Sequence, residues 1–304
     1  MVTISVIIPT YNPTKYILEN TLMHLRKQSI PNQSYEIIIV DNNSSNQLLS
    51  GLQLYDNERI VHEPKQGLTY ARLKGFEVAK SQYMLLCDDD NFLHNDYLYQ
   101  AIHFLDHHHE AGALGGKSLP IFETKPEDWL LPFKNKLALR DLGDDVLISN
   151  TSVNEYPPFA PMGAGMVLRK SAIVHYIKKI QSSHHQITDR TGASLISGGD
   201  NDMVFEILKA GYKVAYVPQL TLEHYINKQR LTYDYMQRLC YGIEKSWVQV
   251  LHQHQVLPWQ PVHPNTALLR KLKAYITTKA YISKGNYLKY MEICGRIDGL
   301  SSVY

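Results

Sequence analysis

Short apolar runs that end abruptly in polar residues constrain the fold of this chain more than any other feature. Three such runs are residues 4–9 (ISVIIP), 35–40 (YEIIIV) and 83–87 (YMLLC). Runs of this length, rich in branched side chains, are typical of strands covered on both faces, and such strands belong to parallel sheets. Helical spacing follows the first run at Leu18, Leu22 and Leu25. The sequence therefore predicts an α/β fold built from repeated strand, loop and helix units.

Further elements continue the same order along the chain. Residues 60–62 (IVH) predict a short third strand, and residues 69–80 predict the helix that precedes the strand at 83–87. The proline-rich stretch at 117–160 is expected to consist of loops that form an insert. A strand at 214–217 follows a helix that begins near residue 200 and ends at Gly211.

Composition narrows the class of protein. Among 304 residues, 44% are hydrophobic and 20% are charged, close to globular averages. Lys and Arg number 31 against 29 Asp and Glu, a surplus too small for a dedicated nucleic-acid binder. The three cysteines are scattered, which argues against a disulfide framework or a zinc site. No apolar run is long enough for a membrane span and no signal-peptide pattern opens the chain, so a cytoplasmic, reducing environment is expected.

Polar residues follow the predicted strands where a ligand would bind. In open α/β sheets ligands bind outside the carboxyl ends of the strands. The polar segments at these ends are residues 10–13 (TYNP), 41–45 (DNNSS) and 88–91 (DDDN). Adjacent carboxylates repel one another unless a cation neutralises them, so the run at 88–91 indicates a divalent metal site. The alternative is an exposed acidic turn without a ligand.

These segments together resemble the ordered motifs of family 2 glycosyltransferases. The resemblance rests on residues 6–12 (VIIPTYN), 40–45 (VDNNSS), 67–72 (GLTYAR) and the aspartate run at 88–90. It implies the GT-A nucleotide-diphospho-sugar transferase fold, a Rossmann-like mixed sheet, mostly parallel and flanked by helices. Residues 1–225 would be the catalytic domain, and residues 226–304 a C-terminal helical extension.

The resemblance also implies a set of donor-binding residues. Asp41 would accept a hydrogen bond from the base of the donor, while Pro9, Tyr11 and Asn12 would wall the base and ribose. The chemistry agrees with a UDP-sugar, since a carboxylate accepts from the imide of uracil and an aromatic ring packs on a base. Tyr11 could instead be a simple loop aromatic. Arg72 would contact phosphate or base, with a solvated helix face as its alternative.

In the aspartate motif the resemblance assigns the ribose contact to Asp88, with Asp89 as the other place for it, and the metal to Asp90. Hard oxygen ligands around a diphosphate favour Mg²⁺ or Mn²⁺. His224, just beyond the strand predicted at 214–217, is expected near the metal and the diphosphate. Its alternative is a structural histidine.

Acceptor-side residues follow from the same resemblance. The segment 162–169 (MGAGMVLR), with Gly165, would lie under the sugar and the acceptor. Asp200 aligns with the catalytic base of the family, and Gly199 stands where the family has an acidic residue. Asp202 is expected to face the acceptor or water on the metal side. Either aspartate could instead cap the helix that follows.

The C-terminal segment is basic and amphipathic. From Thr266 onward seven Lys and Arg stand against Glu292 and Asp298. Apolar residues occur among them at helical spacing, at Leu268, Leu269, Leu272, Tyr275 and Ile276. One interpretation is a helical appendage with a solvated basic face, and the other is peripheral attachment to the cytoplasmic face of an anionic membrane.

The function that the resemblance implies is inverting transfer of a sugar from a nucleotide-diphosphate donor to a hydroxyl of a glycan or glycolipid. Surface polysaccharide or glycolipid synthesis would use such a reaction. One alternative is a nucleotide-sugar-binding protein without transfer activity, which would not need a base such as Asp200. The other is a sugar nucleotidyltransferase, which should carry a glycine-rich basic loop where this chain has residues 10–13.

Overall fold

The computed structural model describes residues 2–46, 48–150, 155–182 and 198–304. The strands are β1 Ile4–Thr10, β2 Tyr35–Asp41, β3 Glu58–His62, β4 Tyr83–Leu86, β5 Asn91–Leu93, β6 Ala111–Phe122, β7 Leu147–Ile148, β8 Met166–Arg169 and β9 Lys213–Ile226. The helices are α1 Lys15–Arg26, α2 Leu68–Val78, α3 Tyr97–His107, α4 Val174–Ser182, α5 Gly199–Lys209, α6 Tyr233–Gln253, α7 Pro264–Thr277 and α8 Lys284–Ser302. The strands and helices predicted for the first hundred residues are all present.

The strands form one mixed sheet in the order β3, β2, β1, β4, β8, β6, β9, β5, with β7 paired to β9. The pairs β1–β2, β1–β4 and β2–β3 are parallel. By contrast β4–β8, β6–β8, β5–β9 and β7–β9 are antiparallel. The parallel pairs described are thus all among β1–β4, and the loops that follow β1, β2 and β4 leave the sheet at the same edge.

Both faces of this parallel part are covered. In β1 Ile4, Val6 and Ile8 pack into a core that includes the leucines of α1, whereas Ile7 packs into a second core with Phe76 of α2. A Cβ atom on Gly75 would lie 2.3 Å from Ile7 Cγ2, so only glycine lets α2 approach the strand this closely. Burial on both faces explains why these strands contain apolar residues without alternation.

Two strands extend further than the sequence indicates. β9 runs for 14 residues to Ile226, so His224 lies within the strand, and the prediction that it lies beyond the strand was wrong. β6 likewise continues to Phe122, into the stretch expected to be loops. Pro218 and Pro120 mark the places where the sequence indicates an end. Proline removes one ladder hydrogen bond but is tolerated where the neighbouring strand does not need its N–H.

The chain divides into two compact units, each assembled from three segments. The sheet unit contains residues 1–121, 139–184 and 203–225, and the helical unit contains residues 122–138, 185–202 and 226–304. Assignment of a catalytic domain to residues 1–225 and an extension to 226–304 stays a prediction, because compact units are defined by contacts and domains by independent folding. Among the residues that the structure describes, no helix is long and apolar enough to cross a membrane.

In the helical unit α6 and α8 pack closely. A Cβ atom on Gly295 would lie 2.2 Å from the carbonyl oxygen of Tyr241, and one on Gly299 would lie 2.8 Å from Val248 Cβ. Both glycines therefore let the helix backbones come together. Arg296 binds Glu244 across the same contact, with Nη2 2.7 Å from Oε2.

Candidate functional site

The loops after β1 and β4 are tied together by hydrogen bonds to Asp89. The hydroxyl of Thr10, the last residue of β1, donates to Asp89 Oδ2. Thr21 in α1 donates its hydroxyl to the carbonyl oxygen of Asp89 at 2.8 Å. Both threonines are buried, so the loop after β4 is held from two sides. Asp89 thus has a positioning contact in addition to any contact with a ligand.

Asn12 joins the loops after β1 and β2. Its Oδ1 accepts hydrogen bonds from the amides of Ser45 at 2.8 Å and Asn46 at 3.2 Å, and its own amide donates to Ser44 Oγ at 2.9 Å. Its φ of 49° lies in the left-handed region, which asparagine tolerates better than most residues. This connection presents the neighbouring Tyr11, whose side chain is 50% exposed. Pro9, in contrast, is buried within β1 opposite Val40.

Asp41 ends β2 directly opposite Thr10 in the sheet. Its Oδ1 accepts from the amide of Ser44 at 2.9 Å, and its Oδ2 lies 3.3 Å from His62 Nδ1. The side chain retains 20% exposure. The carboxylate is therefore held in one orientation while it stays accessible to a donor group from a ligand.

Asn42 is a positioning residue that the sequence did not single out. It is 5% exposed, and its Nδ2 donates to the carbonyl oxygens of Glu63 at 3.2 Å and Lys65 at 2.7 Å. Its Oδ1 accepts from the amide of Gly67 at 2.7 Å. One amide side chain thus fixes the segment that leads into α2. The only sequence signal was a polar residue directly after a buried strand.

Arg72 lies on α2 and is only 2% exposed. The interpretation of Arg72 as part of a solvated helix face is therefore wrong. Arginine is almost never this buried without polar or charged partners, because desolvating a guanidinium is costly. The expected contact of Arg72 with a phosphate or the base stays a prediction. A buried guanidinium would make that contact.

The aspartate run follows β4, and Asp90 is held from several sides. The buried Asn91 accepts from the amide of Asp88 at 3.0 Å and donates from Nδ2 to Asp90 Oδ1 at 3.2 Å. Asp90 Oδ1 also lies 3.3 Å from His224 Nε2, and its carbonyl oxygen accepts from the amide of Tyr225 at 2.9 Å. Asp88, Asp89 and Asp90 are all partly buried, which does not fit a fully exposed acidic turn.

The thiol of Cys87 lies directly before the aspartate run, and the carboxylates of the run affect its pKa. Burial raises the pKa of Cys87 well above its ordinary value, and the carboxylates of Asp88, Asp90 and Asp89 raise it further. The end of β4 therefore carries a negative potential that a bound cation would offset. Carboxylate oxygens suit both Mg²⁺ and Mn²⁺, and an added imidazole nitrogen favours Mn²⁺, the transition metal of the two. His224 is 1% exposed, and the pairing of β5 with β9 places it opposite Asn91.

Gly165 packs tightly at the end of β4. Its φ is 78°, and its amide donates to the carbonyl oxygen of Leu86 at 3.0 Å. A Cβ atom here would lie 2.4 Å from Leu222 Cδ2 and 2.7 Å from the hydroxyl oxygen of Tyr97. That hydroxyl donates to the carbonyl oxygen of Gly165 at 2.5 Å. Glycine is thus required for packing, and a role beside the acceptor stays a prediction.

Asp200 and Asp202 both lie in the first turn of α5, within the helical unit. The amide of Asp202 donates to the carbonyl oxygen of Gly198 at 2.9 Å, so neither aspartate is the cap residue. Asp200 is partly exposed, as a base that meets an acceptor must be.

Asp202 has no exposed surface, and its Oδ1 lies 2.6 Å from His254 Nε2. The expectation that Asp202 faces water was therefore wrong, because its side chain points into the helical unit. His254 was not predicted, since a contact across 52 residues leaves no local pattern.

Comparison with known proteins places this site in a family. Residues 5–155 match the profile described as Glycosyl transferase family 2, and through this segment the chain belongs to that family. The poly(ribitol-phosphate) beta-N-acetylglucosaminyltransferase TarS of Staphylococcus aureus is 31% identical over 145 residues, which cover 43% of this chain and 25% of TarS. The glycosyltransferase GlyG of Streptococcus pneumoniae is 36% identical over 107 residues, or 33% of this chain and 35% of GlyG. The chain thus matches only about a quarter to a third of these relatives.

Solved structures share the fold. The mannosyltransferase PcManGT from Pyrobaculum calidifontis, in complex with GDP-Man and Mn²⁺, matches with a TM-score of 0.62 at 15% identity, over 98% of this chain and 87% of that one. S. aureus TarS 1-349 matches with a TM-score of 0.53 at 16% identity, over 99% of this chain and 90% of that one. The predicted α/β GT-A-like fold is confirmed.

Proposed function

We propose that this chain transfers a sugar from a nucleotide-diphosphate donor, specifically a UDP-sugar, to a hydroxyl of a glycan or glycolipid in polysaccharide synthesis. The observation that carries the proposal is the convergence of Asp41, Asn12 and the aspartate run at adjoining strand ends, linked by the hydrogen bonds of Thr10 and Asn12. Membership of glycosyl transferase family 2 supports transfer, and the relative TarS carries a transferase name. TarS 1-349 has also been solved in complex with UDP.

The base and ribose of the donor would bind at the ends of β1 and β2. Asp41 would accept the imide N–H of uracil, because each carboxylate oxygen has a second lone pair beside its contact with the amide of Ser44 or with His62 Nδ1. The exposed ring of Tyr11 would pack on the base. Asp88 or Asp89 would accept from a ribose hydroxyl. Arg72, always charged, would contact a phosphate or the base.

The diphosphate would lie beside the aspartate run. Asp90, with His224 at 3.3 Å, would hold Mg²⁺ or Mn²⁺, and Asp88 and Asp89 would add negative charge nearby. When bound, the cation would neutralise the charge that develops on the departing diphosphate. Asn91 keeps Asp90 in one orientation, and His224 Nε2 would give up its contact with Asp90 Oδ1 to bind the cation.

The acceptor would be activated by Asp200. Its carboxylate would take the proton of the acceptor hydroxyl as the oxygen attacks the anomeric carbon from the side opposite the diphosphate. A single displacement of this kind inverts the configuration at that carbon. Gly165 would lie beneath the sugar, at a place where Leu222 and Tyr97 fill the space that a side chain would need. Asp202 would not touch the acceptor, and would act on Asp200 only through the backbone of α5.

We also propose a cytoplasmic location. Cys87, Cys240 and Cys294 are buried free thiols, which suits a reducing compartment.

A donor panel tests the proposed function. The full chain is incubated with UDP-, GDP-, dTDP- and ADP-sugars, with Mn²⁺, Mg²⁺ or a chelator, and release of free nucleotide diphosphate is measured. We expect metal-dependent release from a UDP-sugar, faster when a glycan acceptor is added, and loss of release in Asp90→Asn. Formation of pyrophosphate from a nucleoside triphosphate and a sugar phosphate would instead indicate a nucleotidyltransferase. Binding of donors without turnover under any condition would contradict transfer.

A further inference from the structure

Helix α7 turns its large apolar side chains toward solvent. Leu268, Leu269, Leu272 and Ile276, which we call the α7 stripe, are 77%, 68%, 57% and 59% exposed. Residues spaced by three, four or seven positions share one face of a helix, so the four side chains form a continuous stripe. On the opposite face Ala274 is 5% exposed. The helix thus buries a small residue and exposes large ones, the reverse of the usual arrangement in a globular protein.

The exposed apolar surface continues beyond the end of α7. Tyr281 and Ile282 are 65% and 62% exposed. The ring of Tyr281 lies 6.1 Å from that of Tyr275, which is on α7. Single exposed apolar residues are ordinary, but a contiguous group of them marks a surface that meets another apolar phase.

The segment that contains α7 has basic residues and no acidic residue. No Asp or Glu occurs between Glu244 and Glu292, a segment that contains the whole of α7. Arg270, Lys273 and Lys279 are exposed on α7 or directly after it. Lys271, in contrast, pairs with Asp298 at 2.6 Å. The charged residues of α7 itself are therefore all basic, and Arg270 and Lys273 among them are exposed.

We propose that the α7 stripe binds an anionic membrane surface, with its leucines and isoleucine at the boundary of headgroups and acyl chains and with Lys273 and Lys279 among the phosphates. Leucine-rich faces flanked by lysine and arginine are typical of interfacial helices. The cores of protein interfaces are depleted in lysine. Two copies of this chain meeting through the stripe would bring like charges together, because a two-fold contact presents the same patch from both sides. The inference does not depend on sugar transfer.

Vesicle sedimentation tests this proposal. The full chain is mixed with vesicles of phosphatidylcholine alone, or with about one third phosphatidylglycerol, at about 0.1 M and about 0.5 M salt. We expect binding to the anionic vesicles at low salt and weak binding in the other conditions. The double variant Leu268→Ser/Leu272→Ser should weaken binding at least about tenfold, because apolar burial is lost. Each of Lys273→Gln and Lys279→Gln should weaken it about fivefold.

Matched variants test whether vesicle binding depends on the α7 stripe or on any exposed leucine or lysine. Leu131 and Leu142 are 45% and 44% exposed, and the double variant Leu131→Ser/Leu142→Ser should bind as the wild type does. Lys125→Gln and Lys134→Gln, at exposed positions outside α7, should each have less effect than Lys273→Gln. All variants change exposed side chains, so their unfolding temperatures should match that of the wild type.

Three outcomes would overturn the proposal. The first is absence of wild-type binding to anionic vesicles at low salt. The second is binding that survives Leu268→Ser/Leu272→Ser, or that is equally strong on neutral vesicles. The third is a wild-type dimer that this double variant dissociates, because a second copy of the chain would then cover the stripe. Neither nucleotide binding nor transfer enters the measurement, so its failure is distinguishable from failure of the proposed function.

Discussion

At the residue scale, the first turn of α5 presents two aspartates in opposite environments. Asp200 is partly exposed, whereas Asp202 is fully buried against His254. A general base contributes typically ~10²–10⁴-fold, so Asp200→Asn should lower the transfer rate on that scale. Binding of UDP should survive, because Asp200 is assigned to the acceptor. Steady-state rates and calorimetry on the same preparation measure both effects.

Asp202→Asn is the matched control for this prediction. The substitution weakens a buried contact with His254, so we expect a loss of about 1–3 kcal/mol in the free energy of unfolding. The transfer rate should fall much less than in Asp200→Asn. Full activity in Asp200→Asn together with a large loss in Asp202→Asn, at equal stability, would mean that Asp202 is the catalytic base. Full activity in both would require a different base.

A second residue-scale prediction concerns Gly165. Alanine at this position would meet the strain of a positive φ, about 1–2 kcal/mol, and a clash with Leu222 and Tyr97 that costs about 1–3 kcal/mol more. Gly211 also has a positive φ, 84°, but a Cβ atom there would meet nothing within 4 Å. Denaturant unfolding should therefore show a larger loss in Gly165→Ala than in Gly211→Ala. Equal losses would mean that close packing at Gly165 carries no cost.

Residue types at the strand ends were predictable, but several of their partners were not. Polar segments after apolar runs indicated a ligand site, and the family resemblance then singled out Asp41, Asn12 and Asp90 within them. Asn42 and His254 act through contacts with backbone or side chains far away in sequence. Neither contact follows a local period, so the sequence indicated Asn42 only by its place after a buried strand and did not indicate His254.

At the element scale, the parallel strands were the most predictable part of the fold, because burial on both faces leaves a continuous apolar run. The antiparallel strands were harder. From Gln219 to Ile226 β9 alternates between buried and less buried residues, and the Pro218 before this stretch resembles a strand end. A strand of this kind becomes recognisable only when its neighbours β5 and β7 are known.

A buried carboxylate ties β1, β2 and β3 together and provides an element-scale prediction. Burial alone would raise the pKa of Glu36, but hydrogen bonds from Ser5, the amide of Lys80 and Arg59 outweigh it and lower the pKa below 4.5. The stability from this group is therefore present above pH 4.5 and is lost as the pH falls through the lowered pKa.

Glu36→Gln should lower the free energy of unfolding at neutral pH by about 1–3 kcal/mol. In this variant the free energy of unfolding should also fall less steeply as the pH is lowered. Urea unfolding between about pH 3 and pH 7 measures this dependence. The control is Glu77→Gln, because Glu77 is 67% exposed and pairs only with Lys74 among the ion pairs described. An acid decline in Glu36→Gln as steep as that of the wild type would contradict the role of Glu36.

At the scale of the whole molecule, the sequence suggested a division near residue 225, whereas the compact units interleave. Residues 122–138 belong to the helical unit although they lie between two segments of the sheet unit. Within that unit Lys136 contacts Glu292 at 2.9 Å and Lys284 contacts Glu127 at 2.9 Å. Such contacts join segments more than a hundred residues apart, and no change in composition along the sequence indicates them.

The central claim is a metal-dependent site for a nucleotide diphosphate at the ends of β1, β2 and β4. Calorimetry with UDP, with and without Mn²⁺, tests it most directly. Wild-type chain should bind UDP tightly only with Mn²⁺. Asp90→Asn, which keeps a polar group for Asn91 and His224 but removes the charge, should lose the metal dependence, and Asp56→Asn at an exposed position should not. UDP affinity that is unchanged by Mn²⁺ in the wild type, or by Asp90→Asn, would contradict the account.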